Sequence, residues 1–484
     1  MAVTTGRRGG LVVAAVGLAV RLAVVAWAAG TIPAAADGTY YDTLAARLAE
    51  GRGYTWLWPD GAVTYAAHYP VGYPAMVALG YAVFGATPVV AMVLNALFGA
   101  AAGVAAWSLV AKASSPRLAL AAGLAVALHP ALVPYTAALM TEGVTTSLLV
   151  VAAALAAHAR DADKPLRWLA LTGLVMGVAT LVRPQSLVLA PVLGWLATAR
   201  ERRSALGVAE RSDATGGKRL RRGVLGAAVV SLTTLAVCAP WTARNCSRME
   251  RCALVSVNGG WNLAIGTQTD TGGWHELAVP EACKNVFQEA AKDECFGREA
   301  KKEILRHPGA WLARAPAKLR VTFDYFGAAP WYLHTANAER FPYGAKVALG
   351  AIETLAARLL LAAALVTLFR MRVADGGVPG QRARMSCWTS PWVRKGLAAV
   401  GLIACVLVPG TVGYLALAAA ILALGWRALE RAPLVVPLTA AVILTTALTH
   451  AVFFGAGRYG LVVVPFVAAL AFVRPRNERP TRQT

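Results

Sequence analysis

Asp37 is a carboxylate placed where an apolar stretch of the chain ends, and it opens the run Asp37-Gly-Thr-Tyr-Tyr-Asp42. A group at the end of a membrane-spanning segment lies at the level of the lipid headgroups. There it could act as a general base that takes a proton from a hydroxyl group. The alternative is a helix cap, because Asp accepts backbone hydrogen bonds at helix starts and Tyr40 and Tyr41 favour the membrane interface. Tyr40, Tyr41 and Tyr459 are also candidate contacts for the substrate or the lipid phosphate.

Four further charged residues stand where they could face the same interface. Glu142 is the acid of a short loop, and Arg183, Arg244 and Arg458 are each predicted at the outer end of a span or loop. Guanidinium groups stabilise the negative charge of a leaving phosphate. Each residue has a structural alternative: a helix cap for Glu142, a headgroup contact for Arg183, a loop ion pair for Arg244, and interfacial anchoring beside Tyr459 for Arg458.

Several other residues are weaker candidates for the site. His68 and His450 could contact a substrate, although polar packing is the favoured reading of both, and the Asn258-Gly-Gly turn allows a close backbone approach to a ligand. Arg21 and Arg358 fall inside predicted spans, where a charge is costly and often functional. The GxGxxG letters at 455–460 do not follow a strand, so we do not expect a dinucleotide site.

The elements that must position these residues are membrane-spanning helices. Of the 484 residues 57% are hydrophobic and 15% charged, and the mean hydropathy is +0.54. The apolar residues form blocks of the length that a helix needs to cross a bilayer. We predict an all-α polytopic protein with about twelve spans, within a range of 11 to 13. The predicted spans are 9–29, 88–110, 118–136, 143–159, 168–182, 185–199, 223–240, 343–369, 396–409, 411–426, 433–453 and 461–473.

Charge placement predicts the orientation. With both termini inside, the cytoplasmic segments hold more than half of the 47 Lys and Arg residues, and the short outer loops hold only Arg47, Arg52, Arg183 and Arg458. Segment 71–86 is expected to be interfacial or half-inserted, because a full span there would reverse this pattern. We expect the first apolar segment to stay uncleaved. The net charge of +22 is spaced between apolar blocks, which argues against a nucleic-acid surface.

Two outer segments are long enough to fold, 30–87 and 241–342. We divide the chain into an N-terminal transmembrane module (1–240), the outer domain (241–342) and C-terminal helices (343–484). Four of the seven cysteines fall in the outer domain: Cys246, Cys252, Cys283 and Cys295. An even number in an oxidising compartment indicates two disulfides. Three pairings are possible, of which we favour the local one, 246 with 252 and 283 with 295. A zinc site is disfavoured because no CxxC spacing occurs.

The order of the motifs resembles that of bacterial GT-C glycosyltransferases. The first outer loop carries DGTYY, then Leu-Ala-Glu50-Gly-Arg-Gly-Tyr54, then Ala66-Ala-His-Tyr-Pro-Val-Gly-Tyr-Pro74. This is similar to the dolichyl-phosphate-mannose-protein mannosyltransferases and the aminoarabinose transferase family. Later motifs keep the order, at Thr141-Glu142, Arg183-Pro184, Pro240-Trp241 to Asn245, Asn258 to Leu263, and Phe453 to Tyr459. One departure is Gly38, which stands where the family has a second acid.

The resemblance implies a glycosyltransferase of the bacterial cytoplasmic (inner) membrane with its active site outside the cytoplasm. The donor would be a polyprenyl-phosphate sugar, since nucleotide sugars are absent there, and the acceptor an unidentified hydroxyl. The transfer would invert the sugar, with Asp37 as base. No cofactor is implied; a divalent metal is possible but not favoured. The alternatives are a twelve-span secondary transporter or a ligase of lipid-linked glycans.

Overall fold

Helices make up almost the whole of the computed structural model, which describes residues 2–198, 215–324, 327–375 and 408–474. The first helices are α1 (Ala2–Ala28), α2 (Asp37–Ala49), α3 (Gly72–Phe84), α4 (Pro88–Ala111), α5 (Pro116–Ala127), α6 (Thr141–Asp161), α7 (Leu166–Val182), α8 (Leu189–Thr198) and α9 (Thr215–Arg248). The others are α10 (Gly259–Gln268), α11 (Glu289–Arg306), α12 (Pro308–Ala313), α13 (Ala315–Phe323), α14 (Ala328–Ala336), α15 (Tyr343–Asp375), α16 (Gly410–Leu422), α17 (Trp426–Arg431), α18 (Val435–Val452) and α19 (Val464–Ala471).

Within these ranges, six helices are long and apolar enough to cross a membrane. They are Arg8–Ala28, Pro88–Ala111, Thr141–Asp161, Gly217–Arg248, Tyr343–Met371 and Val435–Val452. Shorter apolar helices are Gly72–Phe84, Pro116–Ala127, Leu166–Val182, Gly410–Leu422 and Gly457–Ala471. The prediction of an all-α, multi-pass membrane protein is confirmed. The number of twelve spans stays a prediction, and most of the predicted span 396–409 lies outside the described residues.

Two predicted spans are broken. In place of a helix over 118–136, α5 ends at Ala127 and a 3-10 turn follows at Pro134–Ala137. Prolines 130 and 134 lack the N–H that a helix needs, and the buried Arg21 Nη1 donates to the Ala127 carbonyl at 2.6 Å. The predicted span 185–199 likewise begins with a 3-10 turn, Pro184–Val188, before α8. Helix α3 has 13 residues, about 20 Å at 1.5 Å per residue, which is short for a full crossing.

Among the described residues, two strands occur, and both lie in segment 30–87. β1 (Thr55–Leu57) pairs antiparallel with β2 (Val63–Tyr65) in the first outer loop, with Trp56 opposite Thr64. In the second segment two disulfides join Cys246 to Cys252 and Cys283 to Cys295, which is the favoured local pairing. Helix α9 runs through Pro240 to Arg248, across the predicted boundary at 240. The three-part division of the chain stays a prediction.

One apolar core joins the two ends of the chain. Buried residues of α1, α4 and α6 pack in the same cluster as those of α18 and α19. Polar contacts add to this, because the Ser114 hydroxyl accepts from the Arg474 amide at 2.8 Å and Thr367 donates to the Ala471 carbonyl. This packing brings the segment before α19 beside the start of α2.

Candidate active site

Four charged residues from distant parts of the chain meet at the starts or ends of helices. Arg458 Nη2 lies 2.8 Å from Asp37 Oδ2, and its Nε lies 3.1 Å from Glu142 Oε1. Arg183 Nη1 lies 2.6 Å from the same Glu142 oxygen. The formal charges of the two carboxylates and two guanidinium groups cancel. Asp37, Glu142, Arg183 and Arg458, all predicted as site residues, therefore form one cluster.

Asp37 is placed by a strained turn and a glycine. Ala36, just before it, has φ 51°, a left-handed conformation that costs energy in a non-glycine residue and that occurs most often at functional sites. A Cβ on Gly38 would lie 2.9 Å from the Tyr332 hydroxyl and 3.0 Å from the Leu139 carbonyl. The departure from the family at Gly38 thus has a steric reason: no larger residue fits where α2 meets the segment that leads to Glu142.

Tyr332 is a residue that the sequence did not single out. Its buried hydroxyl accepts hydrogen bonds from the Ala35 amide at 3.1 Å and the Leu139 amide at 3.3 Å. It therefore ties together the two backbone segments that carry Asp37 and Glu142. One tyrosine among the 13 of the chain gives no sequence signal for this role.

Glu142 is buried and fully engaged, with 3% of its side chain exposed. Arg183 and Arg458 share Oε1, and the Tyr135 hydroxyl donates to Oε2 at 2.8 Å. It lies in the first turn of α6, where the helix dipole favours an anion, but Met140 and not Glu142 is the N-cap residue. Its place is that of a counter-ion that orients two arginines.

Asp37 is the most exposed of the four, with 33% of its side chain accessible against 17% for Arg458. Oδ2 faces Arg458, while among the described residues Oδ1 accepts only from the Tyr69 hydroxyl, at 3.5 Å. Tyr41 is buried next to this carboxylate, and burial and the Asp37 charge raise the pKa of the Tyr41 phenol. One carboxylate oxygen is thus open to an incoming group.

The ring of Tyr459 lies between the two arginines and His450 of α18. Arg183 lies 4.6 Å and Arg458 5.3 Å from the centre of its ring, within cation–π range. His450 stacks on the same ring at 4.3 Å and is tied to the Phe454 carbonyl at 2.8 Å. The packing interpretation of His450 fits these contacts, because its ring supports Tyr459.

Predicted site residues that lie outside this cluster include Arg244, Asn258 and His68. Arg244 donates to the carbonyls of Ala66 and Tyr54, both at 2.8 Å, and so joins the two outer segments. Asn258 precedes α10 and accepts from the Ser256 hydroxyl at 3.0 Å. His68 lies between the rings of Tyr69 and Trp261, and burial lowers the pKa of its imidazole.

Glu289, at the start of α11, is a second residue that the sequence did not indicate. Its Oε2 accepts from the backbone amides of Ala67 and His68 at 2.7 and 2.9 Å, and its Oε1 accepts from the Trp56 indole. Helix α11 thereby fixes the backbone of the His68-Tyr-Pro motif. Among the described residues, no group of three His, Cys, Asp or Glu side chains could hold a metal ion.

These observations define a helical membrane protein with several spans and a site of two carboxylates and two guanidinium groups. A small segment with two disulfides packs near this site. Residues 68–208 match the family described as dolichyl-phosphate-mannose-protein mannosyltransferase. The resemblance to the GT-C glycosyltransferases, predicted from the motifs, is confirmed by this match. No curated protein matches the chain significantly.

Solved structures with a similar arrangement include two of the Archaeoglobus fulgidus oligosaccharyltransferase. The apo form has a TM-score of 0.47 at 13% identity, covering 96% of this chain and 50% of that one. The form with an inhibitory peptide and a dolichol-phosphate has a TM-score of 0.41 at 14% identity, with coverage of 96% and 50%. ArnT from Cupriavidus metallidurans bound to undecaprenyl phosphate has a TM-score of 0.37 at 13% identity, with coverage of 96% and 77%. The chain spans about half the length of the archaeal structures.

Proposed function

We propose that this protein is a membrane glycosyltransferase that moves one sugar from a polyprenyl-phosphate donor to a hydroxyl acceptor on the extracytoplasmic face. The observation that carries the proposal is the site itself. A partly exposed carboxylate, Asp37, lies 2.8 Å from Arg458, which together with Arg183 is held by the buried Glu142. The match of residues 68–208 to a family named for a lipid-phosphate sugar donor supports the donor class.

The reaction needs a base on one side and positive charge on the other. Oδ1 of Asp37 takes the proton of the acceptor hydroxyl while the oxygen of that hydroxyl forms a bond to the anomeric carbon. The bond from that carbon to the phosphate oxygen breaks, and its electron pair leaves with the polyprenyl phosphate. Arg183 and Arg458 stabilise the charge that this phosphate gains.

Arg458 has a second function in this account. Its Nε is buried and makes no hydrogen bond to any described residue, although it is close to Glu142. Its Nη2, bound to Asp37 here, can turn to a phosphate oxygen of the donor. A donor phosphate that takes over Nη2 separates Asp37 Oδ2 from the guanidinium and leaves both carboxylate oxygens accessible to the acceptor.

The site favours inversion of the anomeric configuration. A retaining double displacement needs a carboxylate nucleophile in addition to the acid or base. Glu142, the other carboxylate of the cluster, is buried and has both oxygens engaged. A single displacement with Asp37 as the base is therefore the mechanism that these side chains support.

Purified protein in lipid nanodiscs, given a panel of polyprenyl-phosphate monosaccharides, tests the proposal. We expect release of polyprenyl phosphate with at least one donor, and a transferred sugar whose anomeric configuration, read by NMR, is inverted. Turnover of a lipid diphosphate oligosaccharide alone would instead identify a glycan ligase. Substrate flux in sealed vesicles without turnover of any donor would identify a transporter.

A further inference from the structure

The surface beside Asp37 is aromatic. Tyr40 lies three residues after Asp37 on α2, and residues spaced in this way share one helix face with Cβ atoms about 5–6 Å apart. Tyr40 remains 48% exposed. An exposed aromatic ring therefore stands one helical turn from the carboxylate that we propose as the base.

The ring of Tyr40 is held in a fixed orientation. One face stacks on Tyr69, with the centroids 5.0 Å apart and the planes at 17°. Trp56 borders it edge-on at 5.8 Å and 87°, and the Trp56 indole is itself fixed by Glu289. Because Tyr69 covers one face of Tyr40 and Trp56 lies at its edge, the 48% exposure belongs to the rest of the side chain, from which we infer that the opposite face is open to a ligand.

Two uncharged polar residues of the same helix stand near Tyr40 in the sequence. Thr39 and Thr43 are exposed on the same helix, and their hydroxyls donate to the carbonyls of Ala36 and Thr39, both at 2.8 Å. Their oxygens remain free to accept hydrogen bonds from a ligand. The charge of Asp37 is balanced by Arg458, so the surface presents no net charge to a ligand.

An aromatic face bordered by hydroxyl acceptors matches the chemistry of a sugar ring. A pyranose has one face of C–H groups, which carry partial positive charge and pack on the negative face of an aromatic ring. Its hydroxyls point outward from the ring edge. A phosphorylated acceptor would need a basic group at this ring, whereas the contacts of the Tyr40 ring with other described residues are with the aromatic rings of Tyr69 and Trp56.

We propose that the open face of Tyr40, bordered by Trp56, is the acceptor subsite and that the acceptor is an uncharged carbohydrate. This rests on the proposed function. A sugar ring stacked on Tyr40 presents a hydroxyl at its edge toward Asp37, one helical turn away. The donor phosphate approaches from the opposite side, where Arg183 and Arg458 lie.

Saturation-transfer NMR on the purified protein without donor tests the subsite by direct binding. The probes are oligosaccharides of mannose, glucose, galactose and arabinose, a serine- and threonine-containing peptide, and a lysophospholipid. We expect one saccharide to bind with its C–H face nearest the protein. Tyr40→Ala should weaken this binding about tenfold, as loss of one stacking contact implies, while Tyr40→Phe should bind like the parent. Tyr343→Ala removes another exposed tyrosine and should change nothing.

Each outcome decides the proposal. Saccharide binding that Tyr40→Ala weakens and Tyr40→Phe retains supports it. Peptide or lysophospholipid binding with the same dependence on Tyr40, or no saccharide binding that depends on Tyr40, would overturn it. Donor turnover by the parent protein in the absence of acceptor, measured as slow hydrolysis, reports separately on the proposed function, and Tyr40→Ala should raise the KM for the acceptor.

Discussion

Glu142 is buried and pairs with two guanidinium groups. We therefore expect its replacement to lower the stability of the fold as well as the affinity for the donor. Glu142→Gln removes the carboxylate that pairs with Arg183 and leaves Arg458 paired with Asp37, and loss of one partner of a buried ion pair typically costs about 3 kcal/mol or more. We expect a clear fall in melting temperature in detergent and a raised KM for the donor.

The matched control for this change is Glu299→Gln. Glu299 pairs with Lys302 at 2.7 Å on the surface of the outer domain, and such exposed pairs contribute less than about 1 kcal/mol. An equal loss of stability in the two variants would contradict the role of Glu142 as the counter-ion of the site.

His68 gives a pH dependence with a definite sign. Burial holds the pKa of its imidazole below the ordinary 6.5, so as the pH falls through that value the unfolded chain takes up a proton that the folded chain does not. Stability is therefore lost below about pH 6.5. A series of melting temperatures from pH 8 to 5.5 should fall less steeply in His68→Gln. His307→Gln, at an exposed histidine, should keep the parent slope, and identical slopes in all three proteins would refute the burial argument.

The charged residues of the site could be predicted from the sequence because each stands alone among apolar residues. A single Asp, Glu or Arg at the end of an apolar stretch is expected to lie either at the membrane interface or in a functional site. The pairing between them could not be predicted, since Asp37 and Arg458 are 421 residues apart. The roles of Tyr332 and Glu289 could not be predicted, because a tyrosine in a helix and an acid at a helix start are common. Only their tertiary contacts give them a role.

Among the helices, α3 packs against the end of α7, and this packing determines the position of Arg183. A Cβ on Gly72 would come within 2.5 Å of the backbone of Leu181 and Val182, the residues just before Arg183. Gly72→Ala must push the two helices apart, at a cost of about 1–3 kcal/mol. We expect a lower melting temperature and weaker donor turnover.

Gly344→Ala is the control, because nothing lies within 4 Å of a Cβ at that position. If Gly72→Ala behaved like Gly344→Ala in both measurements, the close approach of α3 to α7 would be wrong.

The break in the span predicted over 118–136 shows where hydropathy fails. The residues from 128 to 140 are apolar enough to continue a helix, but Pro130 and Pro134 remove backbone donors. Irregular backbone at membrane depth is tolerated only where protein or a cavity satisfies it. Arg21 contributes to this by bonding the end of α5, a contact between helices that no single stretch of sequence reveals.

For the whole molecule, the orientation in the membrane is the property on which the proposed donor depends. Asp60 is exposed in the hairpin turn of the first outer loop, and Lys164 is exposed between α6 and α7. A membrane-impermeant maleimide should label Asp60→Cys in intact cells and Lys164→Cys only after permeabilisation. The reverse pattern would place the site in the cytoplasm and remove the need for a lipid-linked donor.

In the proposed mechanism, Asp37 accepts the proton of the acceptor hydroxyl during glycosyl transfer. The direct measurement is the single-turnover rate of a labelled polyprenyl-phosphate sugar by the parent protein, Asp37→Asn and the control Asp60→Asn. Loss of a general base predicts a rate at least about a hundredfold lower in Asp37→Asn, with unchanged melting temperature and no loss of donor affinity, while Asp60→Asn keeps the parent rate. A well-folded Asp37→Asn protein that transfers the sugar at the parent rate would contradict the account.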